Sequence, residues 1–149
     1  AQEDVRTPKN DGITSMLIAS HDNNVEAMQL LFDHDAQEDV RTPNNNAATP
    51  MFVTSQKNNV EAMQWLFDHG ADVRTPKNNG TTPMYVASQK NNVEAMQWLF
   101  DHGAQDDVRT PNTDGDIPMY VARQKTHLEA MQWLFDHGTQ DDDRTPHNQ

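Results

Sequence analysis

The chain repeats itself, and this internal repetition constrains its fold more than any other feature of the sequence. The string Asp-Val-Arg-Thr-Pro begins at Asp4, Asp39, Asp72 and Asp107, and the shortened string Asp-Arg-Thr-Pro begins at Asp143. The first four starts are 35, 33 and 35 residues apart. A period of this length is typical of repeat architectures in which each unit packs only against its neighbours. The sequence therefore predicts four similar units that stack in a row.

Each unit is predicted to contain two short helices after an extended turn. The first helix begins at a Thr-Pro pair such as Thr82-Pro83, because Thr caps free amides and Pro suits the first helical position. The second helix ends at a His-Gly pair such as His102-Gly103, because Gly adopts the left-handed conformation that ends helices. Val60, Met63 and Phe67 share one face of the second helix, which we expect to be buried.

Helices shorter than roughly 12–15 residues are marginal in isolation. Each pair must therefore bury its apolar face against the next pair. We expect a single domain over residues 1–149, with helix pairs at about 14–34, 49–69, 82–102 and 117–137 and partial loops at 1–13 and 138–149.

The start of the first helix resembles the ankyrin repeat. Thr-Pro-Met-Tyr-Val-Ala at 82–87 is similar to that family's T-P-L-H-x-A pattern, and related strings occupy 14–19, 49–54 and 117–122. The string from Gly70 to Val73 is similar to the family's Gly-Ala-Asp-Val, which ends the second helix. The resemblance covers essentially the whole chain. It implies an all-α solenoid of stacked helix-turn-helix pairs with β-hairpin-like loops.

Two departures from the family pattern affect the expected structure. The family usually has His at four positions that are here Leu17, Phe52, Tyr85 and Tyr120, which affects the hydrogen bonds that His makes at the loop. Three junctions also carry two extra residues before the Asp-Val string, as in Gln37-Glu38 and Gln105-Asp106. We expect these insertions to enlarge the turn that follows the second helix.

Both ends of the sequence fall in connecting loops. Residues 1–4 match residues 36–39, Gln149 matches Asp114, and the chain does not begin with Met. Neither terminal helix pair has the more polar outer face that capping repeats usually carry. We therefore expect a segment of a longer array. The alternative is that neighbouring molecules supply the missing caps by stacking end to end.

Composition argues against several classes of function. The chain has 11 Lys and Arg against 23 Asp and Glu, a net charge of −12, which repels nucleic acid phosphates. No apolar run approaches the roughly 20 residues of a bilayer span. Without Cys there is no disulfide, thiolate nucleophile or Cys-based zinc site. We expect no nucleic acid partner and no membrane partner, and the lack of Cys and of a visible signal segment slightly favours an intracellular location.

Histidine and methionine recur once or more in every unit. His34, His69, His102 and His137 end the four second helices. A metal ion needs several ligands within about 2 Å, whereas stacked helices lie roughly 8–10 Å apart, so we predict no metal site. Capping of the helix C-terminus is the favoured role, and a pH-sensitive partner surface is the alternative. The eight methionines lie on apolar helix faces, so we assign them to the core.

Trp65, Trp98 and Trp133 stand at the margin of the apolar face of the second helix, where the first unit has Leu30. Each Trp precedes a His by four residues and can rest against it. Contact between adjacent units is the favoured interpretation. The alternative is a ladder of half-exposed indoles that binds a partner or mediates self-association.

No pattern predicts catalysis or a cofactor. The acidic runs Asp106-Asp107 and Asp141-Asp142-Asp143 lack the ligand spacing of a calcium loop. Asn79-Gly80-Thr81 is a glycosylation sequon that matters only if the chain is exported. Gly-rich phosphate loops, G-x-S-x-G and H-E-x-x-H do not occur. A catalytic site must also break the repeat symmetry, and this sequence barely breaks it, so we expect a protein that is not an enzyme.

The resemblance implies that a protein partner binds the concave surface formed by the hairpin tips and the first helices. Amides dominate that surface, so it should offer hydrogen bonds rather than a hydrophobic pocket. The expected partner-binding residues are Asn45, Asn46, Gln56, Lys57, Asn78, Asn79, Thr81, Gln89, Lys90, Asp114, Asp116, Gln124 and Lys125, with Ala48 and Thr113 alongside them. The first unit contributes Asn10, Asp11, Ile13, His21 and Asp22.

The near-identity of the layers suggests a second function. Two layers share Asn-Asn and Gln-Lys at the groove positions, and a repetitive surface suits a repetitive ligand or the protein itself. Head-to-tail association gives open filaments when the rotation does not close. We favour a non-catalytic scaffold for protein–protein interaction, and the alternative is a self-assembling structural solenoid that forms head-to-tail filaments.

Overall fold

Four helix pairs follow one another along the chain. The computed structural model describes residues 12–138, and within them the chain forms eight α-helices, two 3-10 turns and no β-strand. The helices are α1 (Ser15–His21), α2 (Val25–Asp33), α3 (Pro50–Lys57), α4 (Val60–Asp68), α5 (Pro83–Gln89), α6 (Val93–Asp101), α7 (Pro118–Gln124) and α8 (Leu128–Asp136). The predicted all-α solenoid of stacked pairs is confirmed. The predicted groove residues Asn10 and Asp11 and the acidic run 141–143 lie outside the described residues.

The pairs stack in two rows. The odd-numbered helices form one row and the even-numbered helices form the other, and neighbours in the odd row contact each other more extensively than neighbours in the even row. Closer spacing on one side bends a stack toward that side. The odd helices therefore line the inner surface, and the even helices form the outer surface.

Methionines fill the interface between the rows. Met16, Met51 and Met84 on the inner helices and Met28, Met63 and Met96 on the outer helices are fully buried. Burial of a Met side chain stabilises a fold by about 1.5–3 kcal/mol. Phe67 was expected in this core, but it is 40 % exposed and packs edge-on against Trp98 instead.

The Thr-Pro motif caps the inner helices as its sequence predicts. The hydroxyl oxygens of Thr14, Thr49 and Thr82 accept hydrogen bonds from amides three residues on, at 3.1, 3.2 and 3.0 Å. α7 lacks such a bond because Ile117 stands in the cap position and has no acceptor. An N-cap bond contributes about 1 kcal/mol, so the fourth pair forgoes a stabilising contact that the other three have.

The repeated Asp-Val-Arg-Thr string fixes the loops after the first three outer helices. In the last string the hydroxyl of Thr110 donates to the carboxylate of Asp107 at 2.7 Å. The same bond joins the Asp and Thr of the two preceding strings at 2.9 Å. The motif therefore closes a turn on itself before the chain enters the next unit.

Two of the three junctions with extra residues lie within the described chain, and there the expected enlargement takes the form of compact 3-10 turns at Gln37–Val40 and Gln105–Val108. The third junction lies outside the described residues. Each turn buries its Asp, so that Asp107 is 1 % exposed, whereas Asp72 at the shorter junction is exposed. Arg74 of the preceding loop reaches Asp107 with two hydrogen bonds of 3.0 and 2.9 Å. The inserted residues thus create a charged contact between units.

Asparagine side chains join each unit to the next. The side-chain oxygens of Asn23, Asn58 and Asn91 accept from the amides of Ala62, Ala95 and Ala130, at 3.0–3.1 Å. Each of these alanines lies in the first turn of the following outer helix. The outer helices of the second, third and fourth pairs are therefore capped by the preceding pair.

A second asparagine makes the return contact. The amide nitrogen of Asn59 donates to the carbonyls of Ser20 and His21 at the end of α1, at 3.0 and 2.9 Å. Asn92 repeats this contact at the end of α3. In the first pair, Asn24 instead caps its own helix by accepting from Ala27 at 3.1 Å. The Asn-Asn string thus holds adjacent pairs together in both directions.

Candidate functional site

The inner surface is formed by three hairpin-like loops and the inner helices behind them. Each loop is closed by two backbone bonds, such as Lys77 N to Thr81 O at 3.0 Å and Gly80 N to Lys77 O at 2.9 Å, with equivalents in the loops at 44–48 and 112–116. The residue at the turn has a positive φ, which is 78° at Gly80. A Cβ there would lie 2.9 Å from the amide nitrogen of Thr113, so the next loop approaches too closely for any other residue.

Backbone bonds tie neighbouring loops together. The amide of Asn78 donates to the carbonyl of Asn46, and the amide and hydroxyl of Thr113 both donate to the carbonyl of Asn79, at 3.0, 3.0 and 2.9 Å. The loop tips therefore have a fixed spacing. Such pre-organisation lowers the entropic cost of binding a partner.

Most of the predicted partner-binding residues lie at accessible places on the loops and at the C-terminal ends of the inner helices. Gln56, Gln89 and Asp116 are half-buried, and the exposed members are Asn45, Asn46, Lys57, Asn78, Asn79, Lys90, Asp114, Gln124 and Lys125. Thr81 differs from the expectation of an accessible binding residue, because it is 5 % exposed and offers little surface to a partner. Of the flanking residues, Ala48 is 6 % exposed and Thr113 is exposed.

The groove also contains an apolar cavity that the sequence interpretation did not expect. A cavity of about 260 Å³ lies between α1 and α3. Its apolar lining comes from Ile13, Leu17, Ile18 and Val53, and its polar rim comes from His21, Asn44 and Gln56. Ile18 is 40 % exposed there. The expectation of a surface without a hydrophobic pocket was therefore wrong for the first two units.

The opposite end of the groove is aromatic and acidic. Tyr85 is 6 % exposed. Burial, followed by the negative charge of Asp116 and then by Tyr120 and Asp114, raises the pKa of Tyr85 to about 12. The hydroxyl of Tyr120 accepts a long hydrogen bond of 3.5 Å from the side chain of Gln124. The carboxylates of Asp114 and Asp116 therefore both act on the Tyr85 hydroxyl.

The tryptophans lie between units and not on an open surface. Trp65, Trp98 and Trp133 are 8, 8 and 7 % exposed. The alternative interpretation, a ladder of half-exposed indoles that mediates self-association, was therefore wrong. Each indole nitrogen donates at 2.9 Å to a glutamine of the preceding unit, namely Gln29, Gln64 and Gln97. A phenylalanine of the preceding unit also packs edge-on against each indole. This arrangement joins the outer helices.

Histidines complete this aromatic contact. The ring of His69 stacks on Trp65 with 3.9 Å between centroids, and its Nδ1 lies 2.7 Å from the carbonyl oxygen of Trp65. His102 and His137 repeat both contacts. A carbonyl only accepts, so Nδ1 is the protonated nitrogen in the neutral ring. The imidazoles thereby satisfy one carbonyl near the C-terminus of α4, α6 and α8.

Residues 12–138 contain no candidate metal site and no candidate membrane-spanning helix. That range holds no group of three or more His, Asp or Glu side chains placed to share a metal ion. None of its helices has the length and apolar character that crossing a bilayer requires.

Comparison with known families gives two overlapping matches. A family model described as ankyrin repeats in many copies matches residues 47–100, and a model described as ankyrin repeats in three copies matches residues 74–145. Comparison with curated proteins found no match. The two family matches together extend over residues 47–145.

Proposed function

Because the chain belongs to the ankyrin repeat family, whose members generally mediate protein–protein interaction, we propose that it is a non-catalytic scaffold that binds a protein partner along its inner surface. In this proposal the whole chain acts as one domain. One observation supports the proposed binding surface. Backbone hydrogen bonds hold the loops at a fixed spacing, their amide side chains are exposed, and part of the surface beside them is apolar. Such a surface has the polar rim and the apolar interior that protein interfaces combine.

The exposed amide and lysine side chains supply hydrogen bonds along this surface. Gln56 and Lys57 end α3, and Gln89 and Lys90 occupy the same place at the end of α5. The backbone carbonyl of Gln89 lies 3.0 Å from Nε2 of His127 in the next unit, and its side chain is half-buried at the end of the helix. These residues contribute to binding without contributing to the core.

Replacement of two of these side chains tests the proposal. Proteins that bind the immobilised chain are identified and one of them is purified, and its affinity is then measured for the wild type and for the double variant Gln89→Ala/Lys90→Ala. We expect a loss of about tenfold, because two polar contacts at an interface are removed. The matched control is Glu61→Ala/Glu94→Ala on the outer helices, which should bind like the wild type.

Helical circular dichroism must be the same for all three proteins. An affinity that is unchanged in the inner variant, or that falls only in the outer variant, would show that the partner does not use the inner surface.

The alternative is a head-to-tail filament. It is opposed by residues on the two end faces of the stack, which belong to the first and fourth pairs. Arg123 is exposed and stands where Ser20, Ser55 and Ser88 are fully buried against the next unit. Thr126 replaces the asparagine that caps the following outer helix. At the other end, Leu30 is 62 % exposed and cannot donate the hydrogen bond of the indole that it replaces. A second copy stacked in the same register would therefore lose the main contacts between units.

Arg123 adds a charge to the end face of the fourth pair, where a stacked neighbour would have to bury it. The same pair also exposes apolar side chains, with Leu128 68 % and Phe135 39 % exposed, so the expectation that it lacks the polar outer face of a capping repeat stays a prediction. We place the scaffold ahead of the filament because of the charge that stacking would bury.

A further inference from the structure

The same place between neighbouring units is closed in one layer of the groove and open in another. Between the second and third units, Ala48, Phe52 and Val86 form a small apolar cluster and are 6, 2 and 2 % exposed. The amino group of Lys77 lies over the ring of Phe52, 5.5 Å from its centroid. These three apolar side chains therefore offer almost no surface to a partner.

The equivalent positions between the first and second units leave a cavity. In the register of the repeat, Ile13, Leu17 and Val53 take the places of that cluster. They line the cavity of about 260 Å³, and Ile18 beside them is 40 % exposed. Leu17 lacks the aromatic ring that Phe52 supplies one unit later. The cavity therefore lies where the next layer is filled by its own side chains.

A second difference between the layers keeps the cavity open. Asn44 takes the place of Lys77 in the repeat, and each begins its loop with the same backbone bond, from Asn44 N to Ala48 O and from Lys77 N to Thr81 O. The side-chain oxygen of Asn44 accepts from the amides of Asn46 and Ala48 at 2.9 and 3.1 Å. These bonds hold the short side chain against its own loop, so Asn44 forms part of the rim and does not fill the cavity.

The lining of the cavity favours one kind of side chain. Within residues 12–138 it contains no Asp, Glu, Lys or Arg, although these residues make up 23 % of the chain. His21 at the rim lies 3.0 Å from the carboxylate of Asp22. A charged group that entered the cavity would lose water without gaining a new ion pair, whereas an apolar group would remove apolar surface of both molecules from water.

The size of the cavity argues for a side chain over a whole small molecule. Sites for small-molecule ligands usually have volumes of roughly 300–1,000 Å³. The cavity, at about 260 Å³, falls below that range. It is also continuous with the loops and inner helices of the groove, where a longer segment can lie beside it.

We propose that the cavity between α1 and α3 is an anchor site, which takes one bulky uncharged apolar side chain from a segment of the protein partner. This inference rests on the proposed function, because it names the chemistry of the partner for that same groove. Side-chain amides of Asn44 and Gln56 lie at the rim, beside the backbone of such a segment. The net charge of −12 opposes the approach of an acidic segment, so the residues around the anchor are neutral or basic.

Selection from a library of random peptides displayed on phage tests the proposal with the full chain as the target. Enriched peptides should share one bulky apolar position and should contain few Asp and Glu residues. Synthetic copies should bind about tenfold more weakly when the residue at that position is replaced by Ala, because a buried anchor carries much of the binding energy of an interface.

Two variants of the cavity should weaken the same peptides by opposite routes. Leu17→Phe supplies the ring that Phe52 supplies in the next layer, so it fills the cavity from within and should lower affinity about tenfold. Ile18→Ser removes an exposed part of the apolar lining and should lower affinity by a similar factor. Peptides whose anchor has been replaced by Ala should no longer distinguish either variant from the wild type.

A matched control lies on an outer helix. Leu30→Ser removes an exposed apolar side chain outside the groove and should alter affinity by less than about twofold. Circular dichroism and urea titration check that the variants are folded. Leu17→Phe should be at least as stable as the wild type, because its ring enters existing space. If Leu17→Phe does not fold, Ile18→Ser carries the test, because it changes a side chain that is already partly exposed.

The outcomes separate this inference from the function on which it rests. Peptides that lose affinity for Gln89→Ala/Lys90→Ala but share no apolar position, or that bind the cavity variants like the wild type, would overturn the inference and leave the groove in place. Enrichment of acidic peptides would overturn it as well. If no peptide is enriched, or if binding ignores every inner-surface variant, both proposals fail.

Discussion

Single side chains carry the contacts between units, and one position shows how. Asn23, Asn58 and Asn91 have φ values of 55–60°, in the left-handed region that Asn tolerates, and from there each caps the next outer helix. Thr126 has the same conformation, with φ of 56°. A β-branched residue pays more for this backbone than Asn does, and Thr126 makes no capping bond within the described chain.

Thr126→Asn should therefore stabilise the protein. The replacement relieves the strained backbone without loss of a contact, so we expect the free energy of unfolding to rise by about 1 kcal/mol. Urea titration followed by circular dichroism measures the change. Thr126→Val keeps the branched side chain and is the matched control, with no gain expected. Equal stability of the Asn and Val variants would contradict the explanation.

Sequence reasoning reached some residues and missed others at this scale. The Thr-Pro caps follow from chemistry within one helix, so they could be predicted. The Asn-Asn string was visible as a repeat, but its bonds run to a helix 39 residues away, from Asn23 to Ala62 and from Asn59 back to Ser20. Such bonds depend on how the pairs are stacked, and a local pattern does not contain that information.

The elements between helix pairs differ in kind. Junctions with two extra residues form 3-10 turns that bury an aspartate, and the junction at Gly70 does not. The sequence predicts an insertion but not its shape, because a 3-10 turn and an open loop accept the same residues. Arg74 and the hydroxyl of Thr110 make burial of Asp107 possible, since together they supply three hydrogen bonds to its carboxylate.

Arg74→Ala should destabilise the second 3-10 turn. It removes two bonds to a carboxylate that is 1 % exposed, and a buried acceptor that loses its partner costs about 1–3 kcal/mol. Arg74 is itself 47 % exposed, so solvent compensates part of this loss. Arg123→Ala, which changes an exposed Arg, should alter the free energy of unfolding by less than about 0.5 kcal/mol. Denaturant titration of both variants measures the difference, and equal effects would contradict the assignment.

At the scale of the molecule, the stack over residues 12–138 has two dissimilar end faces, and the residues at the floor of its groove differ from unit to unit. Its architecture could be predicted because the repeat recurs four times and each copy carries the same helix signals. The expectation of a uniform groove does not extend to its floor, because that expectation rested on the shared Asn-Asn and Gln-Lys positions at the edge of the groove. The residues that differ, from Ile13 to Asp116, lie at the floor, and the stack is needed to bring them into one line.

The end faces predict the state of association. In size-exclusion chromatography with light scattering, the protein should remain at its chain mass of 16.9 kDa as its concentration rises. The triple variant Leu30→Trp/Arg123→Ser/Thr126→Asn restores the residues that the internal contacts use, and we expect concentration-dependent association. Leu30→Trp alone is the control and should stay monomeric. Polymers of the wild type, or a triple variant that never associates, would contradict this account of the faces.

The cross-unit caps also give the molecule a direction of assembly. One amide in the first turn of α4, α6 and α8 donates a hydrogen bond to an asparagine side-chain oxygen of the preceding unit. That asparagine is always made earlier on the ribosome. Each nascent outer helix therefore emerges beside an acceptor that is already in place, and α2 uses its own Asn24 for the same purpose. Growth from the first pair toward the last is the order in which no outer helix waits for a later unit to cap its N-terminus.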